Sequence, residues 1–290
     1  MSAPNMGLLF YKEYYEEYFN EYEHYSSSEN ESEKYFKNKN KEILDVKLLK
    51  GENCIPIGKD NLFFKTSYPG LLVGSGYDHG IKVKNEFKIG FQFDYTTGLP
   101  IIPGSSVKGI LRSVFNNKKD KDNGYIKYII KSNKEKFQGI NIEILTQEDF
   151  INIEREIFDG IKNGKALPIY ERDIFFDAII DFERTKKEIS VSNGNSKSEK
   201  ILGDDFITPH KNPLKNPIPI MFLKVMPNVV WNFQFDLKDR NTLKDGRNFS
   251  ATQKLFLFRQ IILDMGVGAK TNVGYGRFDD KYGQDELEKQ

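Results

Sequence analysis

The sequence predicts an α+β protein, with antiparallel strands and helices on one face of the sheet. Segments with an apolar residue at every second position alternate along the chain with segments whose apolar residues recur every three or four, the periods of strand and helix respectively. Two adjacent strand-like segments are joined by a short "MPNV" stretch that suits a turn, which makes them an antiparallel pair. With 290 residues, 38% of them hydrophobic, the chain can build one large or two small domains around a core of ordinary size.

Taken in order, the first element is "FYKEYYEEYFNEYEHY", residues 10–25. Tyr11, Tyr14, Tyr18, Tyr22 and Tyr25 recur at helical steps and so share one face of a helix. Two readings are open: a helix packed on its own domain, or an aromatic face docked on a partner. "SSSENESEKYFKNKNKE" follows, polar and mixed in charge, and reads as a flexible connector. Residues 1–40 therefore form an N-terminal extension to a main domain, 41–290.

Within that domain "FKIGFQFDY", residues 87–95, has the alternation of a strand with one buried face. In "TGLPIIPGSSVKGILRSVF", residues 97–115, Pro100 and Pro103 hold the chain extended. Ser105 or Ser106 can then cap a helix that runs through Val107, Ile110, Leu111 and Val114. "TQEDFINIEREIFDGIKNG" is a second helix and "DIFFDAIIDF" a further strand. "ERTKKEISVSNGNSKSEK", residues 183–200, has the composition of an exposed loop or hairpin tip, part of an insertion near 183–216. "IPIMFLKVM" and "VVWNFQFDL" are the strands flanking the turn. The helix in "SATQKLFLFRQIILDMG" begins with a capping box, Ser250 and Gln253, and stops at Gly266. This order matches a ferredoxin-like, or RRM-like, arrangement with insertions and an N-terminal extension.

Charge and metal-ligand patterns narrow the function little. Lys and Arg number 43 against 42 Asp and Glu, so a net of +1 decides for neither a nucleic acid nor a protein partner. One cysteine, Cys54, excludes an internal disulfide, and His24, His79 and His210 lack metal-ligand spacing, so neither a metal nor a cofactor is expected. Neither a leader pattern nor an apolar run of roughly 20 residues is present, so the expectation is a cytoplasmic protein without a membrane span.

Two stretches carry the binding chemistry. A helix N-terminus offers unpaired N–H groups and partial positive charge. Above Ser105 and Ser106, Lys108 and Arg112 lie four apart on one side, an assembly suited to a phosphate. The bland alternative is a capped core helix with two solvated cations. The other stretch is "GVGAKTNVGYGRF", residues 266–278. Gly266 is explained as a helix cap. Gly268, Gly274 and Gly276, beside Lys270, Thr271 and Arg277, suggest a loop passing into a final strand, with backbone open to a ligand. The nucleotide-binding patterns GxxxxGK[ST] and GxGxxG both fail here, because position 264 is Asp and Thr271 stands at the third glycine of the second pattern.

"GLPIIPGSSVKGILR" resembles the signature helix region of the RAMP superfamily of CRISPR proteins, and "GVGAKTNVGYGRF" resembles that superfamily's C-terminal glycine-rich loop. Within the superfamily the chain is similar to the family of sixth subunits of the type III-B (Cmr) effector. The similarity lies in "NMGLLFYKEYY", "DIFFDAII", the Thr208–Pro209–His210 stretch and "PIPIMFLKV". The resemblance implies a non-catalytic subunit in antiviral defence that grips CRISPR RNA near its 3′ end without reading sequence. The glycines and Ser105, Ser106, Lys108, Arg112, Lys270, Thr271 and Arg277 would meet the RNA backbone. Implied partners are CRISPR RNA, target RNA, the backbone RAMP subunits and the 3′-end capping subunit, and the 183–216 insertion would resemble a thumb hairpin. Two rivals stand beside it. One is a RAMP-type endoribonuclease using Asp78 and His79 of "GSGYDHG". The other is a protein-only scaffold.

Overall fold

The computed structural model describes residues 5–47, 56–74, 81, 83–115, 124–192, 200–208, 219–239, 241–242 and 248–283. The tyrosine-rich N-terminus folds as short helical pieces: α1 (Met6–Leu8), a π-helical turn (Leu9–Glu13), α2 (Tyr14–Asn20) and α3 (Tyr22–Ser26). Of its two open readings, packing on its own domain is observed, with Phe10, Tyr14, Tyr15 and Tyr18 buried in the main core. A buried phenol needs partners. Tyr14 donates to Asn40 Oδ1 at 2.6 Å and accepts from the Phe87 N–H at 3.0 Å. The polar stretch after it is not the connector expected. It forms α4 (Glu29–Leu44), begun by the Ser28 side chain accepting the Glu31 N–H, and buries Tyr35, Phe36, Asn40 and Ile43.

The remaining elements are β1 (Asp60–Lys65), α5 (Gly104–Ser113), α6 (Gly124–Ser132) and α7 (Gln147–Glu154), the last prolonged by a π turn (Arg155–Asp159). A hairpin of β2 (Ile161–Lys162) and β3 (Lys165–Ala166) precedes β4 (Ile174–Phe175), β5 (Ile179–Ile180) and α8 (Phe182–Ser192). Then come β6 (Leu202–Ile207), β7 (Ile220–Val225), β8 (Val230–Asp236), the short pair β9 (Asn241–Thr242) and β10 (Asn248–Phe249), and α9 (Ala251–Met265). The α+β class is therefore observed, and all strand pairs among the described residues are antiparallel.

Strand β8 is the centre of the largest sheet. It pairs along its length with β1, from Asp60 opposite Phe235 to Lys65 opposite Val230. Its other edge takes β4 and β5, with one residue more between them than on β8, which is a bulge. Its alternation predicted one buried face, yet both are buried. Trp231, Phe233 and Phe235 fill one side, and on the other Asn232 and Gln234 are also covered. The Gln234 side chain is satisfied there, donating to the Asp177 carbonyl at 3.1 Å and accepting from the Ile57 N–H at 2.8 Å.

Four local expectations are corrected. The β7–β8 hairpin does not form: both edges of β8 are occupied, and β7 pairs instead with β6, from Leu202 opposite Val225 to Ile207 opposite Ile220. "FKIGFQFDY" buries Phe87, Phe91 and Phe93 as its alternation demands, but it is not a ladder strand. Its N–H groups go to different segments, Lys88 to the Met221 carbonyl and Gln92 to that of Val73. In the expected loop 183–200, the first part continues α8, and residues 193–199 lie outside the described residues. The glycine-rich stretch leads into an extended segment with a single bridge, Phe278 to Thr66, rather than into a regular strand. No helix among the described residues is long and apolar enough to cross a membrane.

Candidate nucleic-acid interface

Helix α5 begins where β4 and β5 bulge. Gly104 sits so close to this bulge that a Cβ on it would meet the Phe175 carbonyl oxygen at 2.5 Å. The bulge brings Asp177 beneath the helix, and its carboxylate accepts the Gly104 N–H at 2.7 Å. The expected serine cap is thus absent. Pro103 occupies the N-cap position without a side-chain hydrogen bond, and Ser105 and Ser106 are exposed in the first turn. A carboxylate at a helix N-terminus is stabilising, for the reason that a phosphate would be. Beside it opens a surface pocket of about 430 Å³ whose lining includes Ile57, Asp94, Thr96, Asp177 and Gln234. Two carboxylates make this end of α5 less hospitable to an anion than its sequence suggests.

The two cations of α5 differ. Lys108 Nζ lies 5.8 Å from the centre of the Phe175 ring, a cation–π contact that leaves its charge unpaired by any carboxylate among the described residues. Arg112 is bound on three sides. Its Nε donates to Glu154 at 2.8 Å, and Nη1 and Nη2 donate to the two Asp159 oxygens at 2.7 and 2.9 Å. Asp159 first and Glu154 second hold the guanidinium above its ordinary pKa. Arg112 therefore ties α5 to the end of α7 and its π turn.

The glycine-rich loop leaves the C-terminus of α9, the helix against which α5 packs. Gly276 has φ 67°, and a Cβ there would overlap the Val267 carbonyl oxygen and lie 2.9 Å from its carbon. Its own carbonyl accepts the Val267 N–H at 2.9 Å, and its N–H donates to Gly70 O at 2.8 Å. Gly268, at φ 87°, is pressed in the same way against the Leu72 carbonyl, which accepts the Ala269 N–H at 2.8 Å. Much of the bare backbone is thus used to lay the loop on the chain's own residues 70–72. Between these anchors a 3₁₀ turn, Thr271–Val273, projects from Lys270 at φ 61° to Gly274. Asn272 and Val273 are exposed, and Lys270 is half-buried without an ion pair among the described residues. Arg277 is partly committed, donating to the Asp264 carbonyl.

Beneath the loop, Tyr275 donates to Asp205 Oδ2 at 2.7 Å, and Lys224 reaches the same oxygen at 2.6 Å. Burial works against the Asp205 charge, but the Lys224, Tyr275 and Phe206 N–H bonds outweigh it and hold the carboxyl below its ordinary range. Tyr275 is pushed up, by burial first and by Asp205 second.

The fold thus gathers Gly268, Lys270, Thr271, Gly274, Gly276 and Arg277 in one loop and Ser105, Ser106, Lys108 and Arg112 on one helix, and joins the two through α9. The residues that sequence reasoning missed are Glu154 and Asp159, which neutralise Arg112, Asp177, which accepts the Gly104 N–H at the start of α5, and Asp205, which holds Tyr275 beneath the loop. Asp78 and His79 lie outside the described residues, which hold no cluster of His, Cys, Asp and Glu suited to a metal ion.

Helix α5 thus packs against α9, the helix that ends in the glycine-rich loop. The RAMP superfamily profile matches residues 63–279, a span that includes both stretches. The chain belongs to the RAMP superfamily. No curated protein matches it. Among solved structures, a type III-B Cmr-beta complex bound to cognate target RNA contains a chain 24% identical with a TM-score of 0.43, over 76% of this chain and 57% of that one. Cmr6 from Pyrococcus furiosus is 24% identical with a TM-score of 0.39, over 75% of this chain and 96% of that one.

Proposed function

We propose that this RAMP protein is a non-catalytic subunit of a type III-B CRISPR effector. It holds CRISPR RNA near its 3′ end through the phosphates, beside target RNA, the backbone RAMP subunits and the 3′-end capping subunit, and so serves antiviral defence. Its strand and helix order belongs, on this reading, to a ferredoxin-like domain. Family membership over residues 63–279 supports the assignment. The observation that carries it to RNA is the exposed turn from Lys270 to Gly274, where a cation has no carboxylate partner among the described residues, with Lys108 likewise unpaired on α5. Such a surface meets phosphates and carries no base readout.

Binding of labelled RNA at several salt concentrations tests this. Lys270→Gln and Lys108→Gln are each expected to lower the slope of log affinity against log salt by about 1, equally for every RNA sequence. A loss confined to particular sequences contradicts the reading. The non-catalytic assignment has its own test in the assembled effector. Asp78→Ala with His79→Ala should leave target cleavage within a few-fold of the parent, whereas loss of a general acid or base costs roughly a hundred-fold or more.

A further inference from the structure

We propose that helix α6 and the turns after it form a second contact for single-stranded RNA, in which Lys127, Lys131 and Lys134 meet phosphates and Tyr128 stacks on a base. The inference rests on the RNA-binding reading above and extends it to a surface separate from the glycine loop. Helix α6 buries Ile126, Ile129 and Ile130, so its remaining face is left to polar residues. Outside the buried set Tyr128 is 68% exposed, a large ring in water that neighbours Lys127 in sequence and lies one turn from Lys131. These two lysines are one helical turn apart, and Lys134 follows just past the helix end.

Lys131 and Lys134 border one pocket, while Lys127 Nζ lies by the Phe150 ring. Lys131 Nζ is 2.8 Å from Glu143, and Lys131 chiefly, with smaller effects from Lys134 and Lys127, holds that exposed carboxyl below its ordinary pKa. Next to them a surface pocket of about 350 Å³, lined among others by Lys131, Lys134, Asn141 and Glu143, opens between α6 and the 3₁₀ turn Ile142–Ile144. Over residues 124–143 there are four lysines against two glutamates, Glu135 and Glu143, so the patch is positive in a chain of nearly zero net charge.

Cations alone would suit any anion, including an acidic protein. The exposed aromatic ring set among them favours single-stranded RNA, which presents a π face at each base together with a repeating phosphate charge. Lys127 is steadied for this by the Phe150 ring, 5.6 Å from its Nζ.

The test is anisotropy of a labelled twelve-nucleotide RNA with the full chain across a salt series. The double variant Lys131→Gln/Lys134→Gln should flatten the salt slope by about 2. Tyr128→Ala should weaken binding about five- to a hundred-fold without changing the slope, because stacking releases no counterions. Glu143→Gln, which frees Lys131, should bind more tightly than the parent, and Lys131→Arg should match the parent. If the parent binds RNA and the variants bind equally well, this inference is wrong while the RNA reading stands. If the parent binds no RNA, the reading above falls, and this one with it. Should the lysine and tyrosine variants keep full RNA affinity but fail to co-purify with the other effector subunits, the patch is a protein contact and the inference is overturned.

Discussion

Gly276 offers a measurement that separates packing from ligand contact. In Gly276→Ala the new methyl overlaps the Val267 carbonyl oxygen, so the loop must move away from Val267. That movement disturbs the bonds from Val267 N to Gly276 O at 2.9 Å and from Gly276 N to Gly70 O at 2.8 Å. At roughly 1 kcal/mol each they contribute about 2 kcal/mol. The left-handed backbone at φ 67° adds about 1–2 kcal/mol for a residue with a Cβ. The total, about 3–4 kcal/mol, is a large part of a typical stability of about 5–15 kcal/mol. At roughly 2 °C per kcal/mol for a chain of this size, the melting temperature should fall by about 5–10 °C. Gly274→Ala is the comparison. A Cβ there meets only Pro69 Cδ, at 3.4 Å, so the backbone cost alone applies and the fall should be about 2–4 °C. Gly109→Ala, in the middle of α5 with open space around it, should raise stability by about 0.5–1 kcal/mol. Thermal melting beside RNA binding reads all three. A Gly276→Ala protein that melts with the parent and yet loses RNA would show that this glycine serves the ligand, and the packing argument would be refuted.

Three further outcomes are expected. Lys254 and Asp173 are almost wholly buried and bonded at 2.6 and 2.7 Å, so Lys254→Met, which strands the carboxylate, should cost about 3–5 kcal/mol in chemical denaturation. Lys254→Met/Asp173→Leu should cost less than the single change. Deletion of residues 5–26 should give insoluble protein, because Met6, Phe10, Tyr14 and Tyr18 belong to the core; a soluble, cooperatively melting product would assign the helices to a partner. For Asp205 the folded carboxyl titrates below its ordinary 3.8, so the stability it contributes is present above that pH and is lost as pH falls through the lower folded value. Asp205→Asn should therefore flatten the acid limb of the stability profile, and an unchanged limb would count against the Lys224–Asp205–Tyr275 cluster.

Local rules carried the sequence reading where the deciding residues are neighbours. Ser250 and Gln253 form the reciprocal capping box expected of them, and Gly266 ends the helix as its position implies. The alternation of "VVWNFQFDL" located β8, but it could not say that Asn232 and Gln234 are buried as well, because the elements that cover them come from elsewhere in the chain. The partner of β7 was out of reach for a similar reason: a turn says that two strands reverse direction, not that the edge beside them is free. Arg112 is the clearest case at the site. Beside Ser105 and Lys108 it reads as a phosphate ligand, while the carboxylates that hold it lie 42 and 47 residues away in sequence. The segment 26–42 misled by composition, since its few apolar residues, Tyr35 and Phe36 among them, are enough for a helix once the tyrosines offer them a surface.

The position of β8 also bears on how the chain is made. Its bond partners on β1 were synthesised long before it: just past its end the Leu237 N–H donates to the Asp60 carboxylate, 177 residues earlier in the chain. Until the region of β8 has emerged, β1 has no edge to join, and Leu62 and Phe64 have no sheet over which to bury. A sheet closed by its late central strand has high contact order and folds slowly, with its early apolar strand exposed in the meantime. Production at lower temperature or with chaperones should therefore raise soluble yield more for this chain than for a helical protein of equal length, and ribosome-stalled chains ending before residue 229 should remain open to proteolysis around β1.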